Sequence, residues 1–148
     1  MNINQEIFAV KLYEMAQQYG KLQSRIHICG QENQERIREE LKKAKGEYQE
    51  HSVLLKKGVE GSRSQAVAEL ARTQLECSEK MENLMKDGQI ARYLHSGQNG
   101  HSEEEAEAAT LYAEYAIDYA VQSMQYALIA ALSAMDLQIS TEKTKGVL

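Results

Sequence analysis

Not one of the 148 residues is proline. At an average usage of about 5%, a chain of this length would carry roughly seven. Proline breaks helix interiors and punctuates the turns of sandwiches and barrels. Its complete absence, with abundant Glu, Gln, Lys, Ala and Leu, predicts long helices.

Hydrophobic spacing agrees. Period-two alternation never lasts, whereas apolar residues recur at three and four almost everywhere. Phe8, Leu12, Met15, Tyr19, Leu22, Ile26 and Cys29 form one seam of coiled-coil type. It loses register near "CGQEN", residues 29–33, and a second seam runs through Ile37, Leu41, Ala44, Tyr48 and Leu55. The two differ in phase by one residue. This leaves either one long helix kinked near Gly30 or two helices. Loop-forming residues are scarce there, which favours the kink.

The next stop is better marked. Lys56 and Lys57 suit a helix C-terminus, and Gly58 suits the left-handed cap. Ser62 and Gln65 have capping-box spacing, and a third seam follows through Val67, Leu70, Cys77, Met81 and Leu84. Gly88 is placed to end or kink that helix. "HSGQNGH", residues 95–101, is the clearest loop. Ser102 and Glu105 make another capping box, with Glu103, Glu104 and Glu105 at the positive end of the helix dipole.

The sequence therefore predicts an all-α fold. Long antiparallel helices form a three- or four-helix bundle or coiled-coil-like hairpin, expected to be oligomeric. Helices are placed at about 4–28, 31–57, 62–94 and 102–139, the first two alternatively one kinked helix. Residues 1–139 form one domain, and 140–148 a flexible tail.

The last helix is unusual. Ala106, Ala109, Ala113, Ala116, Ala120, Ser123, Ala127, Ala130, Ala134 and Leu137 lie at unbroken three-four spacing. Alanine is the best helix former, which explains its abundance but not its register. A line of small side chains lets a neighbouring helix come close. Tyr112, Tyr119 and Tyr126 flank the line on one side, and Ile117, Val121, Met124, Leu128 and Met135 on the other. A helix apolar nearly all round is expected to be buried nearly all round, at the centre of a monomer or in an oligomer interface. The interface is favoured. The eight alanines and three tyrosines are its candidate residues.

Sites of other kinds carry weaker signals. Asp118 and Asp136 are eighteen residues apart on one helix, roughly 27 Å, and cannot share a proton. Tyrosines at helical spacing read as packing with the hydroxyl at the rim. His95 and His101 bracket the loop with Glu104 and Glu105 nearby, but none of the four histidines, His27 and His51 included, has a known ligand spacing. The Glu-x-x-His pairs of a di-iron bundle are absent. Cys29 and Cys77 sit on apolar seams and read as small buried hydrophobes. Arg36, Arg38, Lys42, Lys43 and Lys45 interleave with Glu32, Glu35, Glu39, Glu40 and Glu47, in pairs such as Glu32–Arg36 and Glu39–Lys43, the pattern of a solvated face. No phosphate loop or nucleophile elbow occurs.

Composition narrows the classes further. With 43% hydrophobic and 26% charged residues the chain is globular, and a net charge of -5 argues against direct nucleic-acid binding. The beginning, "MNINQEIFAV", lacks the basic and apolar regions of a secretory signal. The longest apolar run, residues 126–132, is too short to span a bilayer. Two cysteines are few for a secreted scaffold. The expected protein is cytoplasmic and non-enzymatic, with no cofactor or metal. It is an adaptor, assembly factor or regulator that contacts itself or another protein through helices. The alternatives are an acidic inhibitor covering a nucleic-acid-binding surface, suggested by the glutamates at 103–107, and a bundle with a small-molecule or metal site.

Overall fold

The computed structural model describes residues 3–31, 33–86, 88–94 and 101–146. Among them the fold is all-α, with no strand. The elements are α1 (Ile3–Cys29), α2 (Gln34–Gly61), α3 (Gln65–Lys86), α4 (Gln89–Tyr93) and α5 (His101–Thr144). The chain divides into two units, Tyr19–Tyr93 and the pair of segments Met1–Gln18 and Leu94–Leu148. Helix α1 runs continuously across the division at Gln18.

In the unit 19–93, α1 and α2 are separate helices, so the kinked-helix expectation is corrected. Asn33 is extended and caps α2, its Oδ1 accepting the Arg36 N–H at 3.1 Å. Arg25 of α1 donates to Glu40 Oε1 at 2.5 Å and to Glu47 Oε2 at 2.8 Å on α2. Along one straight helix Arg25 and Glu47 would stand roughly 33 Å apart, so the chain turns sharply between them. The capping Asn33 and the Gly30–Gln31 turn reverse the chain where loop-forming residues are scarce.

Gly58 does not end α2, which continues to Gly61. The glycine instead faces α3, where a Cβ built on it would lie 3.9 Å from the Ala71 Cβ. It therefore sits inside the helix, where α2 meets α3, and not at a cap. The reversal falls on residues 62–64. Ser62 Oγ accepts the Ser64 N–H at 3.2 Å and donates to the Ser64 carbonyl at 3.0 Å. Ser64, not Ser62, caps α3: its Oγ accepts the Val67 N–H at 3.4 Å.

The face that α3 covers also differs from the expected seam. Ala68 is 9% exposed, and Ala71, Leu75 and Ser78 are half-buried along the same line. Leu70, by contrast, is 72% exposed, and Val67 and Cys77 face solvent with it, while Met81 and Leu84 are half-buried. The covered line is rotated by about one residue, roughly 100°. Small residues win this position because Gly58 and Ala71 permit a backbone separation that leucine would block. Gly88, at φ +62°, takes the left-handed conformation and separates α3 from α4, where the sequence predicts a stop or kink.

In the other unit, α5 is one helix of 44 residues, about 66 Å long. It begins at His101, so Ser102 lies inside its first turn and not at the cap. It runs to Thr144, past the expected end at 139. Gly146, at φ +72°, closes it by donating its N–H to the Lys143 carbonyl at 3.0 Å. Residues 140–144 of the expected tail are therefore helical, and 147–148 lie outside the described residues.

Candidate functional site

Helix α5 exposes a long apolar surface, as does α1, where Leu12, Tyr19, Leu22 and Ile26 of the first seam are 48–62% exposed. Half-buried or buried positions occur towards its two ends. Glu104, Ala108, Ala109, Tyr112 and Ala116 are covered in the first part, and Ala131, Ala134, Met135 and Gln138 in the last. Between them every residue from 117 to 130 is exposed. This middle stretch is where the helix is apolar on most sides. Leu128 is 60% and Tyr126 72% exposed, and Ile117, Val121, Met124 and Ile129 are each more than half exposed.

The alanine line is distributed accordingly. Ala106, Ala113, Ala120, Ala127 and Ala130 are exposed, while Ala109, Ala116 and Ala134 are half-buried. Of the tyrosines, Tyr112 is half-buried, Tyr119 and Tyr126 are exposed. None of these eleven residues is buried within the chain. The buried alanine of α5 is Ala108, 7% exposed, which lies off the line. The rings of Tyr115 and Tyr119 meet with centroids 6.1 Å apart at 31°, so Tyr119 is steadied by its neighbour one turn back.

Several hydroxyls of α5 are turned back onto the helix itself. Hydroxyls of Thr110, Ser123, Ser133 and Thr141 donate to the carbonyls of Ala106, Tyr119, Ile129 and Leu137, four residues back, at 2.8–3.0 Å. Such back-bonding uses up the hydroxyl donor. Ser123, the polar member of the alanine line, thus presents a small, satisfied side chain.

Charge along α5 is uneven. Residues 101–123 contain six carboxylates, Glu103, Glu104, Glu105, Glu107, Glu114 and Asp118, and no lysine or arginine. Residues 124–146 contain Asp136 and Glu142, balanced by Lys143 and Lys145. The first half is strongly acidic and the second neutral, with cations at its tip.

Other candidates are dispersed. His27 and His51 are exposed. His95 and the side chain of His101 lie outside the described residues, as does Glu32. Among the described residues no group of three His, Cys, Asp or Glu side chains could hold a metal ion. Cys29 is half-buried and Cys77 exposed, both as free thiols. Asp118 and Asp136 are exposed. In the basic stretch of α2, Arg36 lies 3.9 Å from Glu39.

The Arg25 cluster was not foreseen from the sequence. Hydrogen bonding, first from Glu47 and then from Glu40, pushes the Arg25 guanidinium above its usual range. The hydrogen bond from Arg25 holds the Glu47 carboxyl below its ordinary value of 4.5, with Lys43 and Lys21 adding smaller pulls. A signal existed: Glu40 and Glu47 are seven apart and share a face of α2. Only the reversal between α1 and α2, with its turn at Gly30–Gln31 and the Asn33 cap, brings the two together.

Compared with protein-family models, curated proteins and solved structures, the chain matches none. Among the described residues no helix is long and apolar enough to cross a membrane.

Proposed function

We propose that the chain is a non-enzymatic helical interaction protein, an adaptor, assembly factor or regulator, and that it works through the exposed surface of α5 by associating with itself. One observation carries the reading: fourteen consecutive residues, 117–130, are exposed on a helix that is apolar on most sides. Soluble monomers seldom expose large contiguous apolar patches without using them in an interface.

The magnitudes are adequate. Ile117, Val121, Met124 and Leu128, the flank beside the line, are each a little more than half exposed. Covering what remains of four such side chains contributes roughly 3–6 kcal/mol, since full burial of one is worth about 1.5–3 kcal/mol. Association costs several kcal/mol of lost freedom, so the flanking tyrosines and close approach along the alanine line must contribute as well. The free thiols Cys29 and Cys77 suit a reducing compartment, which favours the cytoplasm.

Ala120→Leu and Ala127→Leu test this cleanly. Both alanines are exposed in the chain itself, so a leucine there finds room in the monomer. Only a second helix lying against the line would be pushed away. Light scattering should show an oligomer for the parent and a shift towards monomer for both variants. A parent that stays monomeric at high concentration, with both variants equally stable, would refute the reading.

A further inference from the structure

We infer that Arg25 is an ionic latch. It holds residues 19–29 of α1 closed against α2, and salt releases them about the Gly30–Gln31 turn while the α2–α3 hairpin stays shut. The latch acts within one chain and does not depend on the self-association proposed above.

The ion pairs Lys11–Glu14, Arg36–Glu39, Arg72–Glu69 and Lys86–Glu82 each lie within one helix. Arg25 instead joins two. Its Nε–H donates to Glu40 Oε1 at 2.5 Å and its Nη1 to Glu47 Oε2 at 2.8 Å. Glu40 and Glu47 stand about two turns apart on one face of α2, so a single planar guanidinium spans both.

Apolar packing at this junction is thin. Leu22 and Ile26 of α1, and Ile37 and Leu41 of α2, are each 44–57% exposed. Cys29, one turn on from Arg25, and Ala44, one turn on from Glu40, are half-buried, and both are small. The α2–α3 hairpin is built differently. There Leu55 and Leu75 are half-buried and Ala68 is buried, so the contact rests on apolar burial, which salt does not screen.

The closed clamp is also incompletely satisfied. Arg25 Nη2 is buried with no hydrogen-bond partner among the described residues. A buried donor left unmade carries a cost that water relieves on opening. The side chains of Arg25, Glu40 and Glu47 keep 30%, 22% and 50% exposure, so mobile ions reach them. Lys43 and Lys21 already draw on Glu47 and can stand in for the guanidinium once it leaves. The turn is divided in the right place. Gly30 and Gln31 donate their N–H groups back to the Ile26 and Ile28 carbonyls of α1, whereas Asn33 accepts from Arg36 of α2. Each helix is closed by its own side of the turn, and parting the two leaves these bonds intact.

Distances between paired spin labels test the latch. Gln23 and Gln49 are exposed and lie about 200° around their helices from Arg25 and Glu47, clear of the clamp. In a Cys29→Ser, Cys77→Ser background, one protein carries labels at Gln23→Cys and Gln49→Cys. A second carries them at Lys56→Cys and Gln74→Cys, exposed positions on the two arms of the α2–α3 hairpin. Labelled chains are diluted into unlabelled ones, so the distances read are within one chain. Double electron–electron resonance is recorded at about 0.01 M and about 1 M sodium chloride, where charges act over roughly 30 Å and 3 Å. At low salt the 23–49 distance should be short, and at high salt the ratio of short to long distances should fall severalfold. Arg25→Gln should give the long distance at both salt concentrations, and the 56–74 distance should stay constant throughout. A 23–49 distance that remains short at high salt, or in Arg25→Gln, would show that packing holds α1 and would overturn the latch. A distance already long in the parent at low salt would overturn it too. Loss of the 56–74 distance along with the 23–49 distance would mean general unfolding in place of hinge opening, and the latch would fall with it.

Discussion

The α2–α3 hairpin and helix α5 use the same device to different ends. In the hairpin, Gly58, Ala68 and Ala71 are small where two helices of one chain meet, and the line they form is covered. In α5 a longer line of small residues runs between two bulky flanks, and its central part is open to solvent. Small residues at helical spacing mark close approach in the hairpin, and the proposed self-association assigns them the same part in α5. Three residues, 62–64, hold α3 against α2, whereas residues 117–130 are exposed.

The sharpest way to break this comparison is to overpack both lines. Ala71→Leu should destabilise the hairpin by about 1–3 kcal/mol, because its Cβ already stands opposite Gly58. Ala120→Leu, measured in dilute protein by urea denaturation, should fall within about 0.5 kcal/mol of the parent, as exposed substitutions do. At high concentration the parent should melt higher than in dilute solution, and Ala120→Leu should lose that concentration dependence. Equal effects of the two leucines in dilute protein would erase the distinction.

Glycines give the next largest effects. Gly88→Ala should cost about 1 kcal/mol, since φ +62° is strained for any residue with a Cβ. Gly58→Ala should act in the opposite direction. The added methyl would meet Ala71 at 3.9 Å, an ordinary contact, while the helix gains roughly 0.5–1 kcal/mol of propensity. Thermal melting of both variants against the parent checks the two signs.

The smallest effect concerns the clamp between α1 and α2. Glu47 titrates below 4.5 when folded and nearer 4.5 when unfolded, so its ion pair favours the fold above 4.5. That contribution is lost as pH falls through the folded value. Arg25 is partly exposed, so salt should weaken the pair as acid does. Carbon-detected NMR titration should find the Glu47 carboxyl depressed in the parent and returned to its ordinary value in Arg25→Gln.

Much of this architecture was legible in the sequence. The lack of proline and the three-four spacing establish the helices, and Gly88 marks a break that local backbone conformation determines. What was illegible depended on partners. Gly58 follows two lysines and satisfies a capping pattern, yet tertiary contact with Ala71 decides its role. Val67 and Leu70 are more hydrophobic than Ala68 and Ala71, but close approach selects the smaller pair. Lys143 and Gly146 carried a helix-end signal that a polar composition concealed. For the candidate surface, the alanine register and its flanks could be read directly. The open stretch at 117–130 and the self-satisfied Ser123 hydroxyl could not, because they depend on where the rest of the chain goes.

The order of these two regions along the chain has a consequence for synthesis. The hairpin is complete by Lys86, and α5 begins only at His101. At about 5–20 residues per second, translation of the 44 residues of α5 occupies roughly 2–9 s. Local helix pairs form in microseconds to milliseconds. The hairpin thus has time to close before α5 is finished, and the nascent chain does not expose both apolar lines at once.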